Sequence, residues 1–205
     1  MNEDELRVEY ERRYQQFLEP LAARISAHLL DNLQGVQRID RVAARAKSPD
    51  RFVAKATKLG EEGRPKYTHP FEQIQDLVGA RIIVFYSQDV DLVSHVVQRY
   101  YRRIELKELI PESEAEFGYF GKHYILAMPS DLIASAEPDP EIPSFFELQI
   151  KTLFQHAWSE ANHDLAYKPE EPLTGLQKRQ VAFTAAQAWG ADQIFSQLHT
   201  ELHPR

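Results

Sequence analysis

The stretch FFELQIKTLFQHAW, Phe145 to Trp158, changes its period partway along, and this change constrains the fold more than any other feature of the chain. Phe146, Leu148 and Ile150 alternate with Glu147, Gln149 and Lys151, the period-two pattern of a strand with one apolar and one polar face. Immediately afterwards Phe154, Trp158, Ala161 and Leu165 recur at helical spacing. A strand that turns directly into a helix needs a core in which both kinds of element pack. The strand's polar face carries a carboxylate, an amide and an ammonium in a row, and it is open to two readings. It is the solvated outside of an antiparallel sheet, the commoner fate of such a pattern, or it lines a site.

The same succession occurs upstream. DLVGARIIVFY carries a near-continuous apolar run, Ile82 to Tyr86, suited to a central strand, and SQDVDLVSHVVQRYY follows as a helix with Val90, Val93, Val97 and Tyr101 on one stripe. RIELKELI and GYFGKHYILAM read as further strands, the second after a glycine-marked turn, and Val36 to Val42 reads as another. Pro49 sits where a first helical turn accepts it, predicting a helix through Phe52 and Val53 to a stop at Gly60. Near the N-terminus Leu6, Tyr10, Tyr14, Phe17, Leu18, Leu21, Ile25, Leu29 and Leu30 recur at three and four, giving one or two amphipathic helices hinged near Pro20. GEEGRPKYTHP and PSDLIASAEPDPEIPS are loops by their Gly and Pro content. A long helix from Thr174 to about Leu202 closes the chain with an incomplete apolar face. The core therefore alternates helices with strands, an α+β pattern in one domain, which a length of 205 residues permits.

Charge narrows the partners. Lys plus Arg total 24 against 31 Asp plus Glu, a formal net charge of −7, which disfavours non-specific binding to nucleic acid but allows a local basic pocket. With no cysteine, a disulfide framework, a thiolate metal site and a cysteine nucleophile are all excluded. The N-terminus is charged from the outset and no segment has the apolar length to span a bilayer, so a cytoplasmic protein without a membrane partner is expected.

Five cations fall within RAKSPDRFVAKATK: Arg45, Lys47, Arg51, Lys55 and Lys58. The last three, at i, i+4 and i+7, share one helical face, while Arg45 and Lys47 share one face of a strand end. Such a face is either solvated or a polyphosphate site, where fixed positive groups offset phosphoryl charge. Asp76, just before a buried strand, either caps or pairs with Arg81, or holds Mg²⁺, which keeps much of its hydration and needs only one or two protein carboxylates. Glu147 is a candidate second metal ligand or a base for a hydroxyl nucleophile. His156, Glu160, His163 and Tyr167 form a polar stripe opposite Trp158; without a short zinc motif, a hydrogen-bonded stripe flanking a site is the better reading.

Taken in order, RAKS, DLVGAR, GYFGKH and ELQIKTLFQHAWSEANHDLAYK resemble the synthetase domain of the RelA/SpoT alarmone synthetases over roughly Val36 to Lys168. Members of that family carry a Glu-x-Gln-Ile-Arg-Thr strand, then a helix with Trp and His, then Tyr-Lys. Glu147, Gln149, Ile150, Thr152, Trp158, His163, Tyr167 and Lys168 match this last and most specific motif. The resemblance implies a nucleotidyltransferase-like mixed sheet of about five strands flanked by helices. It divides the chain into an N-terminal helical extension (1–35), the synthetase domain (36–170) and a C-terminal helix (171–205), as in a small single-domain synthetase.

The resemblance also implies transfer of the β,γ-pyrophosphate of ATP to the 3′-hydroxyl of GDP or GTP, with Mg²⁺. It assigns Arg45, Lys47, Lys55, Lys58 and Arg81 to ATP, and Asp76, with Glu147, to the metal. It gives Glu147 the acceptor hydroxyl and Tyr119 the acceptor base, with Lys122, His123, Gln149, Lys151 and His163 on the acceptor side. Assembly into a dimer or tetramer is a further implication. The chain departs from the family pattern Gly-Tyr-Arg-Ser-x-His at Phe120 and Gly121, and Lys151 replaces an arginine without its bidentate fork. Two rivals follow: a toxic synthetase that pyrophosphorylates adenosine nucleotides or tRNA 3′ ends, and a non-catalytic nucleotide-binding module.

Overall fold

Five strands hydrogen-bond in the order β1-β2-β5-β4-β3. They are β1 (Ile39–Ala46), β2 (Val78–Val84), β3 (Arg103–Leu109), β4 (Gly121–Ala127) and β5 (Phe145–Thr152). The β2–β5 pair is parallel and the other three are antiparallel, so the sheet is mixed as expected. The computed structural model describes residues 2–60, 63–109, 117–118, 121–133, 141–166 and 172–204.

The parallel pair forces a crossover, and the helix α5 (Ser87–Tyr100) that leaves β2 packs on one face of the sheet. Its Val90, Val93 and Val97 join Ala80, Ile82, Leu148 and Ile150 in a single buried cluster. Helices α1 (Glu3–Arg13) and α2 (Glu19–Asn32) complete that cluster with Leu6, Tyr10, Leu21, Ile25 and Leu29. Between them Tyr14–Leu18 forms a π-helical turn, and Pro20 lies in the first turn of α2, where its missing N–H costs nothing. The hinge expected near Pro20 is this turn.

Several boundaries differ from the sequence expectation: β1 runs on past Val42 to Ala46, and β2 spans Val78–Val84 where the apolar run is Ile82 to Tyr86. The first strand begins at Ile39 rather than Val36, because Arg38 adopts a left-handed backbone (φ 61) that interrupts extended structure. The Arg38 guanidinium there grips the buried Asp89 carboxylate at 2.7 Å. The helix opened by Pro49, α3, ends at Ala56 instead of running to Gly60; Thr57 caps it, its hydroxyl donating to the Val53 carbonyl at 2.8 Å. Lys58 therefore lies beyond the helix on which its spacing had placed it.

A short helix α4 (Pro70–Gln73) precedes β2, and α6 (Leu153–Ala166) follows β5 directly. The last helix, α7 (Gly175–Leu202), is capped by Thr174, whose side chain accepts from the Gln177 N–H. It packs beside α6, with Phe154 and Phe195 stacked at 5.6 Å, but buries only Ala185 and Asp192 fully. The apolar stripe of α6 is correspondingly thin, and Leu165 is exposed.

Candidate active site

Strand register decides which side chains meet. Across the sheet Arg45 pairs with Gly79 and Gly79 with Glu147, while Arg81 pairs with Gln149 and Gln149 with His123. Directly paired residues project to the same face. Arg45, Arg81, Glu147, Gln149, Lys151 and His123 consequently share one face, and the apolar residues between them share the other. A Cβ built on Gly79 would meet nothing within 4 Å, so this position leaves an open floor between Arg45 and Glu147.

The face forms a cleft of two lobes, about 570 and 460 Å³, both within the size range of small-molecule sites. The larger lies toward the β1 edge, with Tyr14, Arg41 and Ala43 on its walls. The smaller runs toward α6, with Lys55, Lys58, Lys151 and His163. Asp76, Glu147, Arg45, Arg81 and Gln149 line both, and so form the seam where the lobes meet.

Asp76 sits just before β2, between two cations. Lys47 Nζ lies 2.6 Å from its Oδ2 and Lys55 Nζ 2.9 Å from its Oδ1. Burial alone would raise the carboxyl's pKa, but the hydrogen bonds and charges of the two ammonium groups outweigh it and hold the pKa below the ordinary range. The ledge carrying Lys47 is tied to the core: its N–H donates to Leu77 O at 2.8 Å and its carbonyl accepts from the Tyr10 hydroxyl at 2.7 Å. Tyr10 itself is stacked on Phe52 at 3.8 Å. The N-terminal helix thus sets the position of a cleft cation through a buried ring.

Glu147 accepts on Oε1 from the His123 ring at 2.9 Å and from the Gln149 amide at 3.3 Å. Burial raises its pKa and the His123 contact lowers it, with a net value below that of a free glutamate. It is a carboxylate at neutral pH, as an acceptor of a proton must be. Gln149 keeps a buried Oε1 with no partner among the described residues. Lys151 is 4% exposed, and burial together with the charge of Arg81 brings its pKa down to about 8. Its ammonium reaches Ser159 Oγ at 3.2 Å. Positive charge held this far out of water is suited to an anion.

Arg81 is engaged from α6 by Glu160 at 2.8 Å and by the His156 ring at 3.3 Å. The polar stripe of α6 therefore does flank the site. Among the described residues no three His, Asp or Glu side chains converge as a metal cluster, which leaves the zinc reading of that stripe without a ligand set. Arg51, one of the five cations of the basic segment, lines both lobes although the family resemblance gave it no substrate, Glu160 of the α6 stripe lines the smaller lobe, and Ser159 there is an addition.

The structure brings together Arg45, Lys47, Lys55, Lys58, Asp76, Arg81, His123, Glu147, Gln149, Lys151 and His163 on the walls of this cleft. Lys122 is not with them. His123 faces the cleft opposite Gln149, so its neighbour on the strand must face the other way, and Lys122 Nζ lies 2.6 Å from Asp91 of α5. Two adjacent strand residues cannot both serve one face, which corrects the placement of Lys122 beside the acceptor. Tyr119, expected to stack on the acceptor base, lies outside the described residues, as do Tyr167 and Lys168.

The donor set suits Mg²⁺: two ionised hard-oxygen ligands on one seam, with room for water and phosphate oxygens to complete the coordination.

Residues 44–172 match the family model described as the region found in RelA / SpoT proteins, more than half of the chain. GTP pyrophosphokinase YwaC of Bacillus subtilis is 28% identical over 138 residues, which is 66% of this chain and 62% of that relative. The crystal structure of small alarmone synthetase 1 from Bacillus subtilis superposes with a TM-score of 0.72 at 22% identity, covering 95% of this chain and 97% of that one. The same synthetase bound to its product pppGpp gives a TM-score of 0.70, again at 22% identity, covering 95% and 98%. These superpositions bear out the fold, a five-stranded mixed sheet flanked by helices. By its matched region, residues 44–172, the chain belongs to the RelA/SpoT family.

Proposed function

We propose that the chain is a GTP pyrophosphokinase that moves the β,γ-pyrophosphoryl group of ATP to the 3′-hydroxyl of GDP or GTP, releasing AMP and making ppGpp or pppGpp. The observation that carries this reading is the seam: Asp76 and Glu147 stand where two nucleotide-sized lobes meet. In this reading donor and acceptor meet at the seam, with the donor's phosphates and the acceptor side both reaching the smaller lobe. Glu147, oriented by His123 and Gln149, takes the proton of the 3′-hydroxyl as the oxygen attacks the β-phosphorus. The bond from that phosphorus to the oxygen bridging the α-phosphate breaks, and AMP leaves with the electron pair.

Arg45, Lys47, Lys55, Lys58 and Arg81 hold the donor and its phosphates in this reading, with Arg51 added to the same wall. Gln149, Lys151, His123 and His163 serve the acceptor side, all four lining the smaller lobe. Mg²⁺, held by Asp76 and Glu147, would offset charge on the phosphoryl oxygens in transit. The pppGpp seen on the similar Bacillus subtilis synthetase supports a guanosine nucleotide as the acceptor. We extend the proposal to a cytoplasmic homo-oligomer, because α7 leaves Phe183, Ile194, Phe195 and Leu198 exposed. No helix among the described residues is long and apolar enough to cross a membrane.

The test is incubation with γ-labelled ATP, Mg²⁺ and, separately, GDP, GTP, GMP, ADP and deacylated tRNA, with the labelled product identified. Label on GDP or GTP is the expected result. Label on tRNA or ADP alone would replace the guanosine assignment, and no label on any acceptor would favour the non-catalytic module.

A further inference from the structure

The carboxylate proposed to bind the metal has both of its oxygens engaged. Lys47 and Lys55 approach Asp76 from different elements, the first from the end of β1 and the second from the last turn of α3, and each takes one oxygen. The side chains are 25% exposed at Asp76, 15% at Lys47 and 32% at Lys55, so water screens the pairing only in part. A divalent cation would share each carboxylate oxygen with an ammonium group, and it would sit within a few ångströms of both positive charges.

Arg81 shows the same arrangement on the opposite wall, held by Glu160 at 2.8 Å. Three of the cleft's cations are thus paired with its own carboxylates. A triphosphate offers those cations more negative charge than one aspartate does, with oxygens in the geometry that ammonium groups favour.

We propose that Lys47 and Lys55 form a latch over the metal-binding face of Asp76, which opens when the donor's polyphosphate draws the two ammonium groups away, so that the divalent cation enters only with or after the donor. The inference rests on the donor assignment given above. It makes the lysines positioning residues for the metal as well as ligands of phosphate, and it fixes an order of binding: donor first, cation with it or next.

Mn²⁺ is the probe, read by the loss of the free aqua-ion signal in electron paramagnetic resonance. Nucleotide-free wild-type protein should leave Mn²⁺ free at concentrations where the Lys47→Met/Lys55→Met variant binds it, with an affinity gain of tenfold or more. Adding Asp76→Asn to that variant should abolish the gain. Lys55→Gln keeps a hydrogen-bond donor at Oδ1 while removing its charge, and it should show a smaller gain; it carries the test if circular dichroism melting shows the double variant unfolded. The latch is overturned by an unchanged Mn²⁺ affinity in the folded variants, by a gain that survives Asp76→Asn, or by equally tight binding to the wild type. The donor assignment is tested apart from it, by calorimetric titration with the α,β-methylene analogue of ATP in the presence of EDTA and then of Mg²⁺. Binding in EDTA is the expected result. Binding only with metal present supports entry of the two together, and no binding in either condition overturns the donor assignment itself.

Discussion

Residues one apart on β5 face different surroundings. Phe146, Leu148 and Ile150 are fully buried against α5 and the N-terminal helices, among apolar neighbours that can each give a little. Glu147, Gln149 and Lys151 line the cleft, where hydrogen bonds orient charge: a histidine and an amide for Glu147, a serine hydroxyl for Lys151. The core face draws its stability from many small contributions, whereas the cleft face holds charge in an orientation. One strand therefore separates folding from chemistry by register alone, and substitutions at adjacent positions should fail in different ways.

The largest expected effect is on the cleft side. Glu147→Gln keeps size and polarity but removes the proton acceptor, so transfer from labelled ATP should fall by about 10² to 10⁴-fold. Its melting temperature should stay close to that of the wild type. A variant that kept more than a tenth of the turnover would remove Glu147 from the role of base, and one that unfolded would erase the division between the faces. One position along, Leu148→Ala should behave in the opposite way. It opens a cavity in the buried cluster and should cost about 2–5 kcal/mol in denaturant unfolding, while turnover per folded molecule stays within about twofold.

How much of this was legible in the sequence follows from the range of each signal. Period two on β5 and the helical stripe of α5 are local patterns, and they placed the sheet, the polar face and Glu147 correctly. The start of β1 was missed because Arg38 adopts a left-handed backbone that no local pattern announces. Lys58 was set on a helix that Thr57 ends. Lys122 was grouped with His123 on chemistry, against the alternation that the strand itself imposes, and it pairs with Asp91 on the far face. Contacts between distant elements were the least legible: that Lys55 and Lys47 both close on Asp76, or that Glu160 reaches Arg81, depends on how α3 and α6 dock on the sheet. The role of Tyr119 remains an implication of the family motif.

Within the cleft, the cations should show a smaller and more selective effect than the base. Arg45 lines both lobes, and its charge meets the donor's phosphates in this reading. A hydrogen bond to a charged group contributes about 1.5–3 kcal/mol, so Arg45→Ala should raise the Michaelis constant for ATP by about tenfold or more. Acceptor affinity measured without ATP should hardly move. An equal loss for both substrates would show that Arg45 does not serve the donor selectively.

The smallest expected effect compares two carboxylates, Asp76 in the cleft and Asp192 beneath α7. Burial raises the pKa of both, but Asp76 has two ammonium partners that reverse the shift, and Asp192 has only the Thr152 hydroxyl, which donates to Oδ2 at 2.7 Å. Among the described residues its Oδ1 has no partner, and its pKa is pushed up to about 6 from 3.8. The folded state therefore holds this proton more tightly than the unfolded chain does. Below pH 3.8 both states are protonated and the site has no effect on stability; as pH rises from there to about 6 the unfolded chain ionises first and stability is lost, and above pH 6 the loss is constant. Asp192→Asn removes this penalty while its carbonyl can still accept from Thr152. Linkage alone would give about 3 kcal/mol, and the new amide N–H, itself short of a partner, offsets part of it, leaving a gain of about 1 kcal/mol at pH 8. Melting curves of the two proteins should converge below about pH 4 and separate through pH 6, with the variant higher. If the variant melts lower than the wild type at pH 8, ionised Asp192 stabilises the fold, and the contrast between a paired and an unpaired buried carboxylate fails.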